Sequence, residues 1–125
     1  MKNTYLVIAT FLGALTILLG AFGAHSLKDK LDLNAMQSFE TGVRYMMYHV
    51  IAIILIHNSP QLNIKSKNSA SFLFLAGILC FSGSIFAISL GFVSASHIWF
   101  ITPLGGLLFM SGWILSGISF LKSKI

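Results

Sequence analysis

The stretch Tyr5–Ala24, YLVIATFLGALTILLGAFGA, decides the fold. It contains no charged residue. An α-helix rises about 1.5 Å per residue, so about 20 such residues match a hydrocarbon core of roughly 30 Å. Lys2 ahead of the run and the small residues Ala21 and Gly23 at its end also give the outline of a signal peptide. Its length suits a complete span, however, and three comparable runs follow. We read it as a retained first membrane helix.

Working outward, a polar stretch runs from His25 to about Glu40 and holds Lys28, Asp29, Lys30 and Asp32. Asn34 is expected to cap a helix beginning at Ala35, with Gln37 at its third position as a variant capping box. That helix starts at the membrane face and continues into a second span, about 42–57. Glu40 and Arg44, four residues apart, are expected to pair on its first turns. A loop with Pro60, Lys65 and Lys67 leads to a third span, about 71–91, again uncharged. Thr102-Pro103 opens the fourth, about 102–121. Thr is a good N-cap, and Pro at the first helical position loses no hydrogen bond. Lipid offers no partner for backbone polar groups, so four spans of this length mean four helices. The expected architecture is all-α, a single four-helix transmembrane bundle over residues 1–125, with up-down connectivity set by the short loops.

Composition agrees. Hydrophobic residues make up 56% of the chain and charged residues 9%. A soluble domain carries roughly a quarter charged residues, so the solvent for most of this surface is lipid. The net charge is +5, from eight Lys plus Arg against three Asp plus Glu. The basic residues sit between apolar runs, as membrane anchors do, and form no stripe or motif that would fit nucleic acid. Lys2, Lys65, Lys67, Lys122 and Lys124 fall on one side of the membrane, and Lys28, Lys30 and Arg44 on the other. The excess of basic residues places both termini in the cytoplasm. The single cysteine, Cys80, excludes an intramolecular disulfide and reads as a buried thiol.

Lipid gives helices no hydrophobic drive to associate, so small residues that allow close approach mark the packing faces. Gly13, Gly20 and Gly23 form such a stripe on the first span, Gly83 with Ala87 and Gly91 on the third, and Gly105 and Gly112 on the fourth. Three striped helices point to a protein that self-associates or joins a larger membrane complex.

Polar residues at membrane depth are costly and invite functional readings. The four-span topology brings His25, Glu40, Arg44, Tyr45 and His49 toward one side, where they are able to form a polar cluster. His49 lies deepest in the apolar run. It is open to three readings: a hydrogen bond that locks the bundle, proton or ion handling by a group that titrates near neutral pH, or ligation of haem or a metal with His25. A conducting protein built around His49 and a haem or metal protein are therefore the alternatives to a binding component. His57 and His97 read as interface residues at span ends. Trp99 fits an aromatic belt, and Trp113, inside the fourth span, has an indole N–H that wants a partner. No nucleophile with a positioned base, phosphate loop, dinucleotide fingerprint or metalloprotease motif occurs. The expectation is a non-enzyme with no catalytic residues, no metal site and no cofactor.

Several strings together carry a resemblance. Gly20-Ala21-Phe22-Gly23-Ala24-His25 closes the first span, and Phe39-Glu40-Thr41-Gly42 with Tyr45 and Tyr48-His49 opens the second. Phe81-Ser82-Gly83-Ser84 lies in the third. Ile101-Thr102-Pro103-Leu104-Gly105-Gly106 opens the fourth, followed by Gly112-Trp113. In this order and spacing they resemble the small bacterial membrane proteins of domain of unknown function 423, related to transmembrane protein 256. The resemblance spans nearly the whole chain. It implies four helices in the bacterial cytoplasmic membrane and no established activity. It also implies that His25, Glu40, Tyr45, His49, Thr102 and Pro103 stand at recurrent positions. The family often has glutamine after the tyrosine, where this chain has Met46, so a role for an amide there does not carry over.

Overall fold

The computed structural model describes residues 3–123. Lys2 and Lys124, both part of the charge count above, lie outside the described residues. Among the described residues five helices follow in order: α1 (Thr4–His25), α2 (Leu33–His57), α3 (Ile64–Ser89), the single turn α4 (Ala95–Ile98) and α5 (Ile101–Lys122). Four of them, α1, α2, α3 and α5, are long and apolar enough to cross a membrane. The short connections make consecutive spans antiparallel.

Polar side chains set the helix starts. Asn3 accepts from the Leu6 N–H, Asp32 from Ala35, Asn63 from Ser66 and Ser94 from Ser96. Each satisfies one of the backbone donors that a first turn leaves unpaired. The cap of α2 is therefore Asp32 and not Asn34, so the helix begins two residues earlier than expected. It then runs unbroken from the membrane face through the span.

The expected boundary at Thr102-Pro103 also moves. Helix α5 starts at Ile101, its N-cap is Phe100, and no side chain caps it. The chain arrives from α4 already turning, with Phe100 in a helical conformation, so Thr102 is helical and unavailable as a cap. Its hydroxyl instead hydrogen-bonds the Ser84 hydroxyl on α3. Pro103 at the third position still costs no hydrogen bond, because the first helical N–H to find a carbonyl is that of Leu104, bonded to Phe100 O at 3.2 Å.

Helix α3 is not regular. Residues Ile78–Ser82 form a π-helical turn between two α-helical segments. Helix α3 ends early, at Ser89, and Gly91 follows with φ +82°. That left-handed conformation suits a glycine closing a helix C-terminus. Gly91 thus ends the helix and does not extend its packing stripe.

Helices α2 and α3 form the centre of the bundle. Helix α1 packs along α2, α5 packs along α3, and α3 also packs on α2. The core holds Met46, Val50 and Ile53 of α2, Phe74 and Ile78 of α3, Phe109 of α5 and Ala9 of α1. The outward faces are large and apolar, such as Phe11, Ile17, Leu79 and Leu121, as a lipid solvent requires.

Candidate functional site

The midpoint of α1 falls beside Ala14, that of α3 beside Ala76 and Gly77, and that of α5 beside Ser111 and Gly112. Gly13 faces Val50, and Gly112 faces the Phe74 ring. His49 and Trp113 therefore lie close to mid-depth. The His49 side chain is 4% exposed. Its ring stacks on Phe109 at 3.6 Å between centroids with a 6° interplanar angle, and Phe74 and Trp113 close two further sides.

The chemistry of the partners fixes the state of this imidazole. Nδ1 lies 2.7 Å from the Tyr45 carbonyl oxygen, which can only accept, so Nδ1 carries the proton. The Trp113 indole N–H, which can only donate, reaches Nε2 at 3.0 Å, so Nε2 presents its lone pair. His49 is neutral, both nitrogens are engaged, and the second bond ties α2 to α5. A haem or metal would have to displace Trp113 to reach Nε2.

Of the expected cluster, only Tyr45 meets His49. His25, Glu40 and Arg44 are exposed nearer the membrane face. Glu40 is nine residues before His49, about 13 Å along a helix axis. Arg44 donates to Thr41 Oγ1 at 3.1 Å, which engages the guanidinium one turn back. His25 stands at the solvent end of α1. Among the described residues no three His, Cys, Asp or Glu side chains come together in a metal-holding group.

A second histidine is buried at the end of its span. His57, expected at the interface, is buried where α1, α2 and α3 meet. The Asn3 amide NH₂ donates to Nδ1 at 3.1 Å, because the Asn3 carbonyl oxygen is already taken by Leu6 N–H. That leaves the proton on Nε2, which donates to Ser71 Oγ at 2.8 Å. Tyr5 stacks on the ring, and Lys67 Nζ donates to the His57 carbonyl oxygen at 3.2 Å. One signal for this is legible in the chain: Asn3 at the start of α1, His57 at the end of α2 and Ser71 near the start of α3 fall on the same membrane side of an antiparallel bundle. His97 is exposed.

The glycines divide. A Cβ on Gly105 would collide with the backbone of Phe81 in the π turn, and one on Gly112 with the Phe74 ring at 2.6 Å. Gly23 is equally tight against Phe39, at 2.7 Å. Gly13 and Gly20 show only ordinary contact, at 3.5 and 3.6 Å from Val50 and Val43. A Cβ on Gly83 would meet only the Ile78 carbonyl oxygen of its own helix, at 4.0 Å, so no neighbouring helix closes on it. Two tight positions were missed, Gly42 against Phe86 and Gly77 against Phe109. Close by, Ser82 Oγ of the π turn donates to the Gly42 carbonyl oxygen at 2.7 Å, a buried bond between α3 and α2.

Beside His49 a groove of about 530 Å³ opens between α2 and α5, floored by Phe81 of the π turn. Tyr45 and Tyr48 line one wall, Trp113 and Phe109 the other. Tyr45 stacks on Phe81 at 4.9 Å.

Four apolar spans, outward-facing hydrocarbon and interior polar groups paired within the chain define a multi-pass α-helical membrane protein. The chain belongs to the family described as "protein of unknown function (DUF423)", whose profile matches residues 19–106. It is 40% identical to the UPF0382 membrane protein of Haemophilus influenzae over 99% of this chain and 98% of that one. It is 35% identical to the UPF0382 membrane protein YwdK of Bacillus subtilis, over 96% and 98% of the two chains. It is also 35% identical to the UPF0382 inner membrane protein YgdD of Escherichia coli, over 95% and 90%. No solved structure matches.

Proposed function

We infer that this protein works by binding and not by chemistry: a non-enzymatic component of the bacterial inner membrane that associates with itself or with a membrane partner. The observation that supports this is the state of His49. The one histidine at mid-depth has its proton committed to Tyr45 and its lone pair to Trp113. It is built as a clamp between α2 and α5, which leaves it poorly suited to a proton relay or to axial ligation. The reading expects reconstituted protein to add no pH-driven flux to bare liposomes. A flux that His49→Ala abolishes in a folded bundle would overturn it. Association is read directly from the mass of the protein released gently from its own membranes: a dimer or a defined complex supports the reading, and a lone chain counts against it.

Both termini are placed in the cytoplasm. The basic residues of the chain, five against three, support that orientation. Alkaline phosphatase fused after Ile125 is expected to be inactive, and an active fusion reverses the orientation.

A further inference from the structure

The groove beside His49 sits where a membrane protein has least reason to show polar groups. Tyr48 is one residue from His49 and 52% exposed, and Tyr45 is 39% exposed. Tyr48 lies one residue and Tyr45 four residues, about 6 Å along the helix, from the level of His49, within a hydrocarbon core whose half-thickness is about 15 Å. Among the described residues neither phenol hydroxyl has a hydrogen-bond partner, and the one bond that Tyr45 makes nearby uses its backbone carbonyl. Water and lipid ester groups stay near the membrane face, so neither supplies an acceptor at this depth. Donors left unmet within the hydrocarbon are costly unless something completes them.

The rest of the groove describes what that is. Its walls are rings: Phe81 stacked on Tyr45 at 4.9 Å, Phe109 at 5.4 Å from Phe81, and the half-exposed indole of Trp113. The Trp113 N–H is spent on His49, which fixes the indole as a wall. Rings favour a flat aromatic occupant, which they meet by offset or edge-on stacking. The groove lies between two membrane spans, α2 and α5, so the occupant arrives through the membrane. Its volume of about 530 Å³ takes a substituted ring with the first part of a tail.

We propose that the α2–α5 groove binds a membrane-soluble ring bearing carbonyl acceptors, the quinone class, with the Tyr45 and Tyr48 hydroxyls donating to the carbonyls and Phe81, Phe109 and Trp113 enclosing the ring. This goes beyond the binding component inferred above, because it names a small molecule and needs no second protein. Binding alone is proposed, without electron transfer.

Trp99 and Trp113 are the only tryptophans. In a Trp99→Phe background Trp113 reports the groove, and quinones quench indole fluorescence on contact. The experiment titrates decylubiquinone into this variant in phosphatidylcholine nanodiscs. We expect saturable quenching at one site per chain. We expect the apparent Kd to rise about tenfold in the Tyr45→Phe/Tyr48→Phe double variant, in keeping with two lost hydrogen bonds. The phenylalanine rings keep the stacking. Should the double variant misfold by circular dichroism, each single variant is expected to show about a threefold rise. Quenching that grows linearly with quinone and ignores the tyrosines overturns the proposal. So does equal binding of decylbenzene, which has ring and tail but no carbonyl. A chain that is monomeric in the association measurement yet binds the quinone leaves this inference standing and removes the other.

Discussion

The α3–α5 seam and the α1–α2 seam look alike in sequence, and the structure builds them differently. Along α3–α5, Gly77, Gly105 and Gly112 each accept an aromatic residue, and at Gly105 the α5 backbone lies against the backbone of the π turn. Along α1–α2 only Gly23 is so close, while Gly13 and Gly20 stand at ordinary contact from valine methyls. The polar fixings differ in the same sense. The α5 side is held at mid-depth by Trp113 and His49, where no water competes for the bond. The α1 side is held at its end by Asn3 and His57. The difference teaches that a stripe of small residues marks where a helix is able to come close, and the facing side chain decides whether it does.

The contrast breaks most visibly at Gly105. Gly105→Ala is expected to cost about 3 kcal/mol in a reversible unfolding titration, because the added methyl meets backbone and the seam must open. A cost near zero would show that the π turn yields. His49→Ala comes next, at about 2–3 kcal/mol, from a cavity among Phe74 and Phe109 and an unpaired Trp113 N–H in apolar surroundings. His49→Phe tests the split: it keeps the ring stack and loses only the bonds, so it should recover part of that stability.

Asn3→Ala is expected to cost about 1–2 kcal/mol, the sum of a lost helix cap and a lost bond to His57. Amide exchange should speed up at the α1 start and leave α5 untouched. A change at α5 would mean that the two seams are coupled. At Gly20, alanine should be tolerated within about 0.5 kcal/mol, since the nearest atom stands at 3.6 Å. Gly83→Ala should stabilise, by up to about 1 kcal/mol, because the position is helical, the added methyl meets nothing closer than the Ile78 carbonyl oxygen at 4.0 Å, and helix propensity is gained. Destabilisation at Gly83 would return it to the packing faces.

The site was legible to different depths. The exposed Arg44 and Glu40 were grouped with His49 because topology puts them on one side of the midplane, but side does not measure depth. Trp113 was seen to need an acceptor and His49 to need partners, yet the two are 64 residues apart and nothing in either stretch joins them. His57 reads as an interface residue because it ends a span. The chain folds back there, and Asn3 and Ser71 enclose it.

The sequence by itself determined that there are four membrane helices, that their connections are short, and that lipid is the solvent. Apolar run length and missing charge are properties of consecutive residues, and an unpaired backbone in hydrocarbon leaves the helix as the answer. The tertiary structure decided which glycines are filled, how Thr102 spends its hydroxyl, where α3 takes its π turn, and that His49 bonds Trp113. Each of these depends on the identity of an atom supplied by another helix. Periodicity along one helix names the face that is presented, and only packing names what it meets.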